Sequence, residues 1–457
     1  MDILKAYRQG LKTRKPVSIS RAIALIFLAI ILLGSLLLTL PVSSRSGESA
    51  GFLTALFTAT SATCVTGLVM GDTWEMWSPL GQGLILMMIE IGGLGFMSAA
   101  FLAYTTLRKR FSMNQQMLMA ESIGIGNMGD VYTLQRAMLI RALTVEGAGA
   151  LILTLRFLRE YDFGTSVKLG VFHAVSAFCN AGFDILGFRK PGSSVGTCQE
   201  DPIVLLTLSA LVILGGLGFM VWDEVLRGRK VRRWSVYTRL VLITSGVLLA
   251  GGTLLFCLLE WQNPRTLGAL QPGYRVLGAF FQSVTLRTAG FAGLDQGMLT
   301  PGGKAVSIAL MLIGGSSGST AGGLKTVTLV VLLLFVWNRV RGRQYVSVFH
   351  RSISNEHVLN AVTIFLLMVL LVLAATVLIC ATSPIAFDEA VFEATSAIGT
   401  VGLTTGVTVK LSLPAKLMII LLMYFGRVGL LTISFGFLKK KAAGEKYKYA
   451  NTDLLIG

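Results

Sequence analysis

The sequence predicts an all-α membrane protein in which eight transmembrane helices form four helix–pore loop–helix repeats around one central pore. Two observations lead to this fold class: long apolar runs recur along the chain, and a glycine-centred segment occurs four times between them. Of the 457 residues, 53% are hydrophobic and 14% are charged, whereas a soluble domain carries about 25% charged residues. The composition therefore argues against an ordinary soluble domain.

The first apolar run, Ala22 to Leu40, contains no charged residue. A helix needs about 20 residues to cross a bilayer, and this run is longer than the core of a signal peptide, which has about 7–15 residues. We therefore expect it to be a retained transmembrane helix. Comparable runs follow near residues 79–103, 136–158, 202–222, 238–259, 305–337, 358–381 and 411–438.

The net charge of +17 arises mainly from basic clusters that lie between the apolar runs. A strongly basic chain often binds nucleic acid, but these clusters follow every second long run, as the positive-inside rule requires of cytoplasmic loops. We therefore expect cytoplasmic termini, a lipid environment with secondary contacts to anionic headgroups, and no nucleic acid partner. The clusters are the N-terminal tail, Arg108–Arg110, Arg227–Arg233, Arg339–Arg343 and Lys439–Lys441.

Four short segments align with one another without a gap. In each, a Phe precedes a Gly by ten residues, and Leu or Phe follows the Gly. A helix of about ten residues cannot cross hydrocarbon that is about 30 Å thick, so each segment must enter the membrane and return to the same side. Non-helical backbone at that depth must line water or be buried in protein. The segments are Phe57–Leu68, Phe172–Phe183, Phe280–Phe291 and Phe392–Leu403.

The glycine loops have the chemistry of a cation filter. A ring of backbone carbonyls can replace the water shell of K⁺ without a charged side chain, and glycine permits the positive φ that this geometry requires. No Asp or Glu immediately precedes the glycines. The alternative is four helix-ending turns, each with Gly after the last helical residue. The predicted potassium ligands are the backbone carbonyls of Val65, Thr66, Gly67, Asn180, Ala181, Gly182, Thr288, Ala289, Gly290, Thr400, Val401 and Gly402.

A second glycine motif follows each filter segment. In its first two copies, at 91–96 and 214–219, small residues predict close helix packing. In the third copy, ten small residues interrupt an apolar run, and each Gly destabilises a helix by about 1 kcal/mol relative to Ala. We therefore expect an irregular intramembrane loop below the filter, with a tight helix-packing surface as the alternative. This intramembrane loop comprises Gly314, Gly315, Ser316, Ser317, Gly318, Ser319, Thr320, Ala321, Gly322 and Gly323.

In the fourth copy of this motif, Arg427 stands where the other three copies have glycine. An arginine at the centre of a membrane costs at least about 2.5–3.5 kcal/mol. We therefore expect its side chain to face water or a polar partner rather than lipid. An ion pair with Glu90 or Glu146 is the structural alternative to a role in the pore.

The motifs resemble those of the Trk/Ktr/HKT superfamily of potassium transporters. The resemblance rests on TCVTGL, CNAGFD, RTAGF and GTVGLTTG, in that order, and extends from about Arg21 to the C-terminus. Only one helix precedes the first pore segment, so the chain is most similar to the KtrB-type membrane subunits. The resemblance implies potassium uptake, with the intramembrane loop as the gate and Arg427 as a positive barrier beneath the filter.

The same resemblance implies an assembly in the bacterial cytoplasmic membrane. We expect a homodimer on a cytoplasmic ring of nucleotide-binding KtrA-like subunits, with K⁺ as the transported ion and Na⁺ as an activator. No cofactor is expected in this chain, since the nucleotide belongs to the ring. The basic clusters at 227–233 and 339–343 are expected to face the ring. Leu454, Leu455 and Ile456 are expected to pack against the second protomer, with a frayed tail as the alternative.

The repeats divide the chain into six parts. These are a cytoplasmic tail at 1–20, pore repeat 1 at 21–110, pore repeat 2 at 111–233, pore repeat 3 with the intramembrane loop at 234–351, pore repeat 4 at 352–441, and a C-terminal tail at 442–457.

Two rival classes of protein share some of these features. A sodium-coupled secondary transporter also uses broken helices and midplane sites, but it usually has paired inverted repeats, so it is kept as the alternative function. An enzyme is not expected. Gly124–Gly129 matches GxGxxG but lacks a βαβ context, and Gly314–Gly318 matches GxSxG without a suitably placed histidine.

Overall fold

The computed structural model describes residues 19–95, 131–226, 231–343 and 345–429. The predictions made for the N-terminal tail, for the basic clusters at 108–110 and 439–441, for the segment 124–129 and for Leu454–Ile456 lie outside these ranges.

The described residues are mostly helical, as the sequence predicts. In chain order the helices are α1 (Ile19–Thr39), α2 (Phe52–Thr63), α3 (Thr73–Met76), α4 (Pro79–Gly93), α5 (Val131–Phe157), α6 (Phe163–Phe178), α7 (Pro202–Leu217), α8 (Phe219–Leu226), α9 (Val236–Glu260), α10 (Pro272–Thr285), α11 (Pro301–Leu312), α12 (Thr326–Val340), α13 (Asn355–Thr382), α14 (Phe387–Gly399) and α15 (Leu413–Val428). Two short strands, β1 (Ser347–Val348) and β2 (Arg351–Ser352), pair antiparallel in the linker between the third and fourth repeats.

Each repeat begins with a long outer helix, namely α1, α5, α9 or α13. Within the described ranges, these four helices are individually long and apolar enough to cross a membrane, and α7 with α8 forms a fifth candidate span that bends by 97°. Large apolar side chains on their outer faces, such as Leu258 and Leu370, are exposed, as lipid contact requires. The chain is therefore a multi-pass membrane protein, while the number of eight complete spans stays a prediction.

The second helix of each repeat, α2, α6, α10 or α14, is short and lies in the protein interior. The leading Phe of the motif is buried in three copies, at Phe57, Phe172 and Phe392. In the third copy the next residue, Phe281, is the more deeply buried one. Helix α10 is thus displaced by one residue relative to the gapless sequence alignment, because it ends five residues before its glycine whereas α2 and α6 end four residues before theirs.

The inner helices α4, α7, α11 and α15 share a start signal that the sequence interpretation did not use. Each begins with a capping side chain whose oxygen accepts a hydrogen bond from a backbone N–H of the first turn, and a Pro occupies one of the first two positions. Pro is tolerated there because its missing N–H would have no helical partner. The capping residues are Ser78, Asp201, Thr300 and Ser412.

Candidate ion-conduction site

The four predicted filter glycines meet in one closed ring. A Cβ added to Gly67 would lie 2.5 Å from the carbonyl oxygen of Ala181 in the second repeat. A Cβ on each of the other three glycines would likewise lie close to a carbonyl oxygen of the next repeat, in the residue that precedes that repeat's glycine. The fourth repeat meets the first, which closes the ring. These contacts are Gly182 with Ala289 O at 2.6 Å, Gly290 with Val401 O at 2.5 Å, and Gly402 with Thr66 O at 2.0 Å. Any side chain at these positions would therefore collide with a ring carbonyl.

The backbone of each filter loop alternates in handedness. The glycines have positive φ values, from 69° at Gly182 to 96° at Gly67. The residue two positions earlier also has positive φ, whereas the residue between them does not. Positive φ is uncommon for β-branched residues and persists only where the surroundings enforce it. The four earlier residues are Val65 (56°), Asn180 (59°), Thr288 (66°) and Thr400 (51°).

This pattern argues against four ordinary glycine-ended helices. A helix that ends in the left-handed conformation usually has Gly at that position. Helix α2 ends at Thr63, so the left-handed residue that follows its cap is Val65 and not Gly67. Helix α14 likewise has its left-handed cap at Thr400. The glycines therefore serve the close approach of the four loops rather than the helix ends.

Hydroxyl-bearing residues near the ends of α2, α6, α10 and α14, the pore helices, hold the loops in place. The carbonyl of Ser61 accepts the Thr66 N–H at 2.8 Å, and its hydroxyl accepts the Gly67 N–H at 3.0 Å. Ser396 makes the same pair of bonds in the fourth repeat. Sequence reasoning missed these anchors, although a Ser six residues before the glycine recurs in three of the four segments.

The third loop is anchored differently because the helix that precedes it, α10, is displaced by one residue while the loop itself stays in register. Val284 stands at the position of the serine, and the carbonyl of Thr285 accepts the Ala289 N–H at 2.9 Å. The Thr285 hydroxyl donates to the carbonyl of Phe291 at 2.8 Å. The one-residue displacement therefore preserves a hydroxyl anchor.

An acidic cavity of about 840 Å³ opens on one side of the glycine ring. All four filter glycines line it, and no residue of the intramembrane loop does. Among the described residues, its charged lining comprises four carboxylates and one lysine: Asp72, Asp184, Asp295, Glu389 and Lys190. Burial and the neighbouring charge of Asp72 raise the pKa of Asp184 to about 6. The cavity is thus negatively charged at neutral pH and attracts cations.

The predicted intramembrane loop is irregular and lies directly beside the filter loops. Helix α11 ends at Leu312 and α12 begins at Thr326, so the ten small residues are not a helical packing surface. The Thr320 hydroxyl donates to the carbonyl of Phe178 at the end of α6 at 3.0 Å. A Cβ on Gly322 would lie 2.0 Å from the Thr400 hydroxyl oxygen. The loop therefore touches the second and fourth filter segments.

In the first, second and fourth copies of the second glycine motif, the first glycine packs tightly on a pore helix, whereas Gly314 of the third copy packs on Gly322 of the intramembrane loop. A Cβ on Gly92 would lie 2.0 Å from the carbonyl oxygen of Thr63, and one on Gly215 would lie 1.9 Å from that of Phe178. This is the close packing that the sequence predicts. In the second copy, however, the carbonyls of Gly215 and Gly216 also accept the N–H groups of Thr320 and Ser316. The interpretation of the first two copies as close packing alone is therefore wrong, since the carbonyls of Gly92 and Gly93 in the first copy likewise accept hydrogen bonds from Arg427.

The guanidinium of Arg427 binds backbone carbonyls of two other repeats. It donates to Thr320 O, Gly92 O and Gly93 O, the last at 3.1 Å. The alternative ion pair with Glu90 or Glu146 is not formed within the described part of the chain. Those two carboxylates cluster instead with the Cys179 thiol, which donates to Glu90 at 3.5 Å and to Glu146 at 3.8 Å. The charge of Arg427 is thus held by neutral groups next to the intramembrane loop.

Comparisons with known proteins agree with this architecture. The family model described as "TrkH: Cation transport protein" matches residues 12–448. The potassium/sodium uptake protein NtpJ of Enterococcus hirae is 40% identical, over 98% of this chain and 99% of that protein. The Ktr system potassium uptake protein B of Bacillus subtilis is 37% identical, over 93% and 94% of the two chains. The same-named protein of Vibrio alginolyticus is 38% identical, over 93% of each chain.

A solved structure supports the fold. The potassium transporter TrkH from Vibrio parahaemolyticus superposes with a TM-score of 0.72, at 18% sequence identity, over 93% of this chain and 86% of that chain. At that identity, the likeness concerns the fold alone. Together with the family match over nearly the whole sequence and the four-loop ring, it assigns the architecture, and this chain belongs to the TrkH family of cation transport proteins.

Proposed function

We propose that the protein takes up potassium ions through the ring of four glycine loops. The observation that carries the proposal is the ring itself, in which each glycine abuts a carbonyl of the next repeat. A cation that enters such a ring exchanges its water shell for backbone oxygens. The choice of ion is supported by the names of three relatives at 37–40% identity, of which two are potassium uptake proteins and one is a potassium/sodium uptake protein.

The proposed path begins at the acidic cavity. Its carboxylates raise the local cation concentration, because a cleft lined by one sign of charge focuses the field. The ion then meets the carbonyls contributed by the twelve predicted filter residues. Arg427 and the intramembrane loop lie beyond the filter, where a positive charge and a narrow passage oppose its further movement. In this proposal, displacement of the loop is the gating step.

We further propose that the membrane is the bacterial cytoplasmic membrane, with both termini on the cytoplasmic side. The expected assembly is a homodimer that a KtrA-like ring regulates, with nucleotide bound only to the ring and Na⁺ as an activator. Support for a separate partner comes from the word "system" in the names of the Bacillus subtilis and Vibrio alginolyticus relatives. The exposed Arg341 lies in one of the basic clusters to which such a ring would dock.

Sodium-coupled uptake is the second candidate function. The observation in its favour is the name of the Enterococcus hirae relative, which includes both potassium and sodium. The two candidates differ in stoichiometry, since a coupled carrier moves a fixed number of Na⁺ ions with each K⁺ ion, whereas a filter does not.

Cation flux into liposomes tests the proposal. The purified full-length protein is reconstituted, and the uptake of K⁺ and of Na⁺ is measured at equal driving force. We expect K⁺ uptake that exceeds Na⁺ uptake and that continues when Na⁺ is absent. Equal uptake of both ions would contradict the filter assignment, and uptake of K⁺ that strictly requires co-entry of Na⁺ would establish the coupled carrier.

A further inference from the structure

Two neighbouring carbonyls of the intramembrane loop accept hydrogen bonds from the second and third repeats. The Tyr237 hydroxyl, in the first turn of α9, donates to the carbonyl of Ser317 at 2.8 Å. The backbone N–H of Phe219, the first residue of α8, donates to the carbonyl of Gly318 at 3.0 Å. These two carbonyls of the loop are thus held by α8 and α9, which contribute no residue to the filter ring.

The break between α7 and α8 is built around this contact. The chain bends by 97° between the two helices, and Gly218 at the bend has φ 88°. A Cβ on Gly218 would lie 2.8 Å from the Ser317 carbonyl oxygen. Glycine is required there both by the conformation and by the closeness of the loop. The bend turns the first N–H of α8, which has no partner within its own helix, toward the loop.

A carboxylate of α8 also forms hydrogen bonds with the start of α9. Glu224 in α8 accepts hydrogen bonds from the backbone N–H and the hydroxyl of Ser235, both at 2.7 Å, and from the Thr238 hydroxyl. Ser235 is the N-cap of α9. Charge-assisted hydrogen bonds of this kind are about twice as strong as neutral ones. These bonds join α8 to the first turn of α9.

We infer that α8 and the first turn of α9 form a latch that holds the intramembrane loop closed, with Tyr237 as its positioning residue. The inference rests on the proposed function, in which displacement of the loop opens the path. The bonds from Tyr237 and Phe219 end on adjacent carbonyls of the loop, so one displacement of α8 together with the first turn of α9 would break both. Tyr237 makes its latch contact through its side chain, and its hydroxyl can be removed without altering the backbone.

The first test uses Tyr237→Phe in the full-length protein in liposomes. Loss of one ordinary hydrogen bond should change the ratio of open to closed states by about five-fold, so basal K⁺ flux should rise by about that factor. The ratio of K⁺ to Na⁺ flux should stay at the wild-type value, because the latch does not touch the filter. Tyr274→Phe in α10 is the matched control, and it should behave as wild type.

A rise confined to Tyr237→Phe with unchanged selectivity supports the latch. Unchanged or lower flux overturns it, as does an equal rise in the Tyr274→Phe control. A rise accompanied by lost selectivity also overturns it, because general loosening of the fold would then be the cause.

A second readout does not depend on flux. A cysteine is placed at Ser316, which is buried in the closed loop, in a background in which the exposed Cys380 is replaced by serine, and its reaction rate with a membrane-impermeant maleimide is measured. The Ser317 carbonyl is retained in this variant, so the latch bond remains. Adding Tyr237→Phe should raise the rate by about five-fold. An unchanged rate overturns the latch, even if the liposome experiment overturns the potassium filter.

Discussion

The guanidinium of Arg427 donates a hydrogen bond to the main-chain carbonyl of Thr320, although the two residues are 107 positions apart in the chain. Arg427 also donates to the carbonyls of Gly92 and Gly93. One side chain of the fourth repeat thereby connects the intramembrane loop of the third repeat to the inner helix of the first. The loop is consequently held by Arg427 at Thr320 and by the proposed latch at Ser317 and Gly318.

Replacement of Arg427 by Ala should increase cation flux. The change removes a positive charge beside the path and a hydrogen bond from a charged donor, which is worth about 1.5–3 kcal/mol. Loss of such a bond shifts a two-state equilibrium by about ten-fold or more. Flux in liposomes measures the effect, and Arg427→Lys, which keeps the charge but has no planar fork, should lie between the two. Wild-type flux in a well-folded Arg427→Ala variant would contradict a barrier role.

Replacement of Gly67 by Ser should weaken the preference for K⁺ over Na⁺. The new Cβ would lie 2.5 Å from the Ala181 carbonyl oxygen, and Gly67 has φ 96°. The collision displaces a ring carbonyl from the geometry that suits K⁺, so we expect the K⁺/Na⁺ flux ratio to fall by about ten-fold, which corresponds to about 1.4 kcal/mol of lost discrimination. Gly246→Ser is a suitable control, because a Cβ there would meet no atom within 4 Å. A wild-type ratio in Gly67→Ser would show that Gly67 is not a filter residue.

Deletion of residues Ser316–Thr320 should raise basal flux. This segment contains the carbonyls that Tyr237 and Arg427 hold, and its removal takes away the constriction that the loop forms. Size-exclusion chromatography in detergent first establishes that the variant is folded, and K⁺ uptake is then compared with that of wild type. Equal or lower uptake by a folded variant would argue against a gating role for the loop.

Acidification of the side that carries the acidic cavity should reduce K⁺ uptake. The pKa of Asp184 is raised to about 6 by burial and by Asp72, so its carboxylate is charged at pH 7 and becomes neutral as the pH falls through 6. The loss of one negative charge lowers the cation concentration at the filter entrance. The Michaelis constant for K⁺, measured between pH 7.5 and about 5, should therefore increase with a midpoint near 6.

Measuring the pH dependence of the Michaelis constant in two variants tests whether Asp184 is the group responsible. Asp184→Asn should have a raised Michaelis constant at pH 7 and little further change on acidification. The exposed Glu48→Gln should follow the wild-type profile. If Asp184→Asn retained the full pH dependence, another group would be responsible.

Much of the architecture is legible in the sequence because it depends on local patterns. Apolar runs such as Ala22–Leu40 identify spans by length and composition. The glycines of the four loops are recognisable because the close approach of the backbones leaves no room for a side chain at any of the four positions. The ten small residues at 314–323 predict an irregular loop for the same reason, since so many glycines weaken a helix.

Other features were decided by packing between segments that are distant in the chain. The order of the four loops around the ring, the contact of Arg427 with Thr320 and the bond from Tyr237 to Ser317 all join different repeats. Sequence patterns specify which residues tolerate a conformation, but they do not specify which partner each one meets. The one-residue displacement of α10 in the third copy illustrates this, because Thr285 anchors the loop in place of the aligned Val284.

The sequence by itself thus determined the repeat, the membrane class and the glycine positions, because backbone conformation and hydropathy are properties of short segments. The tertiary structure alone decided that Arg427 binds carbonyls rather than Glu90 or Glu146. It also decided that the carbonyls of Gly215 and Gly216 accept hydrogen bonds from the intramembrane loop. In both cases the buried polar groups had several possible partners. Only the assembled packing of four repeats determines which of those partners comes within hydrogen-bond distance.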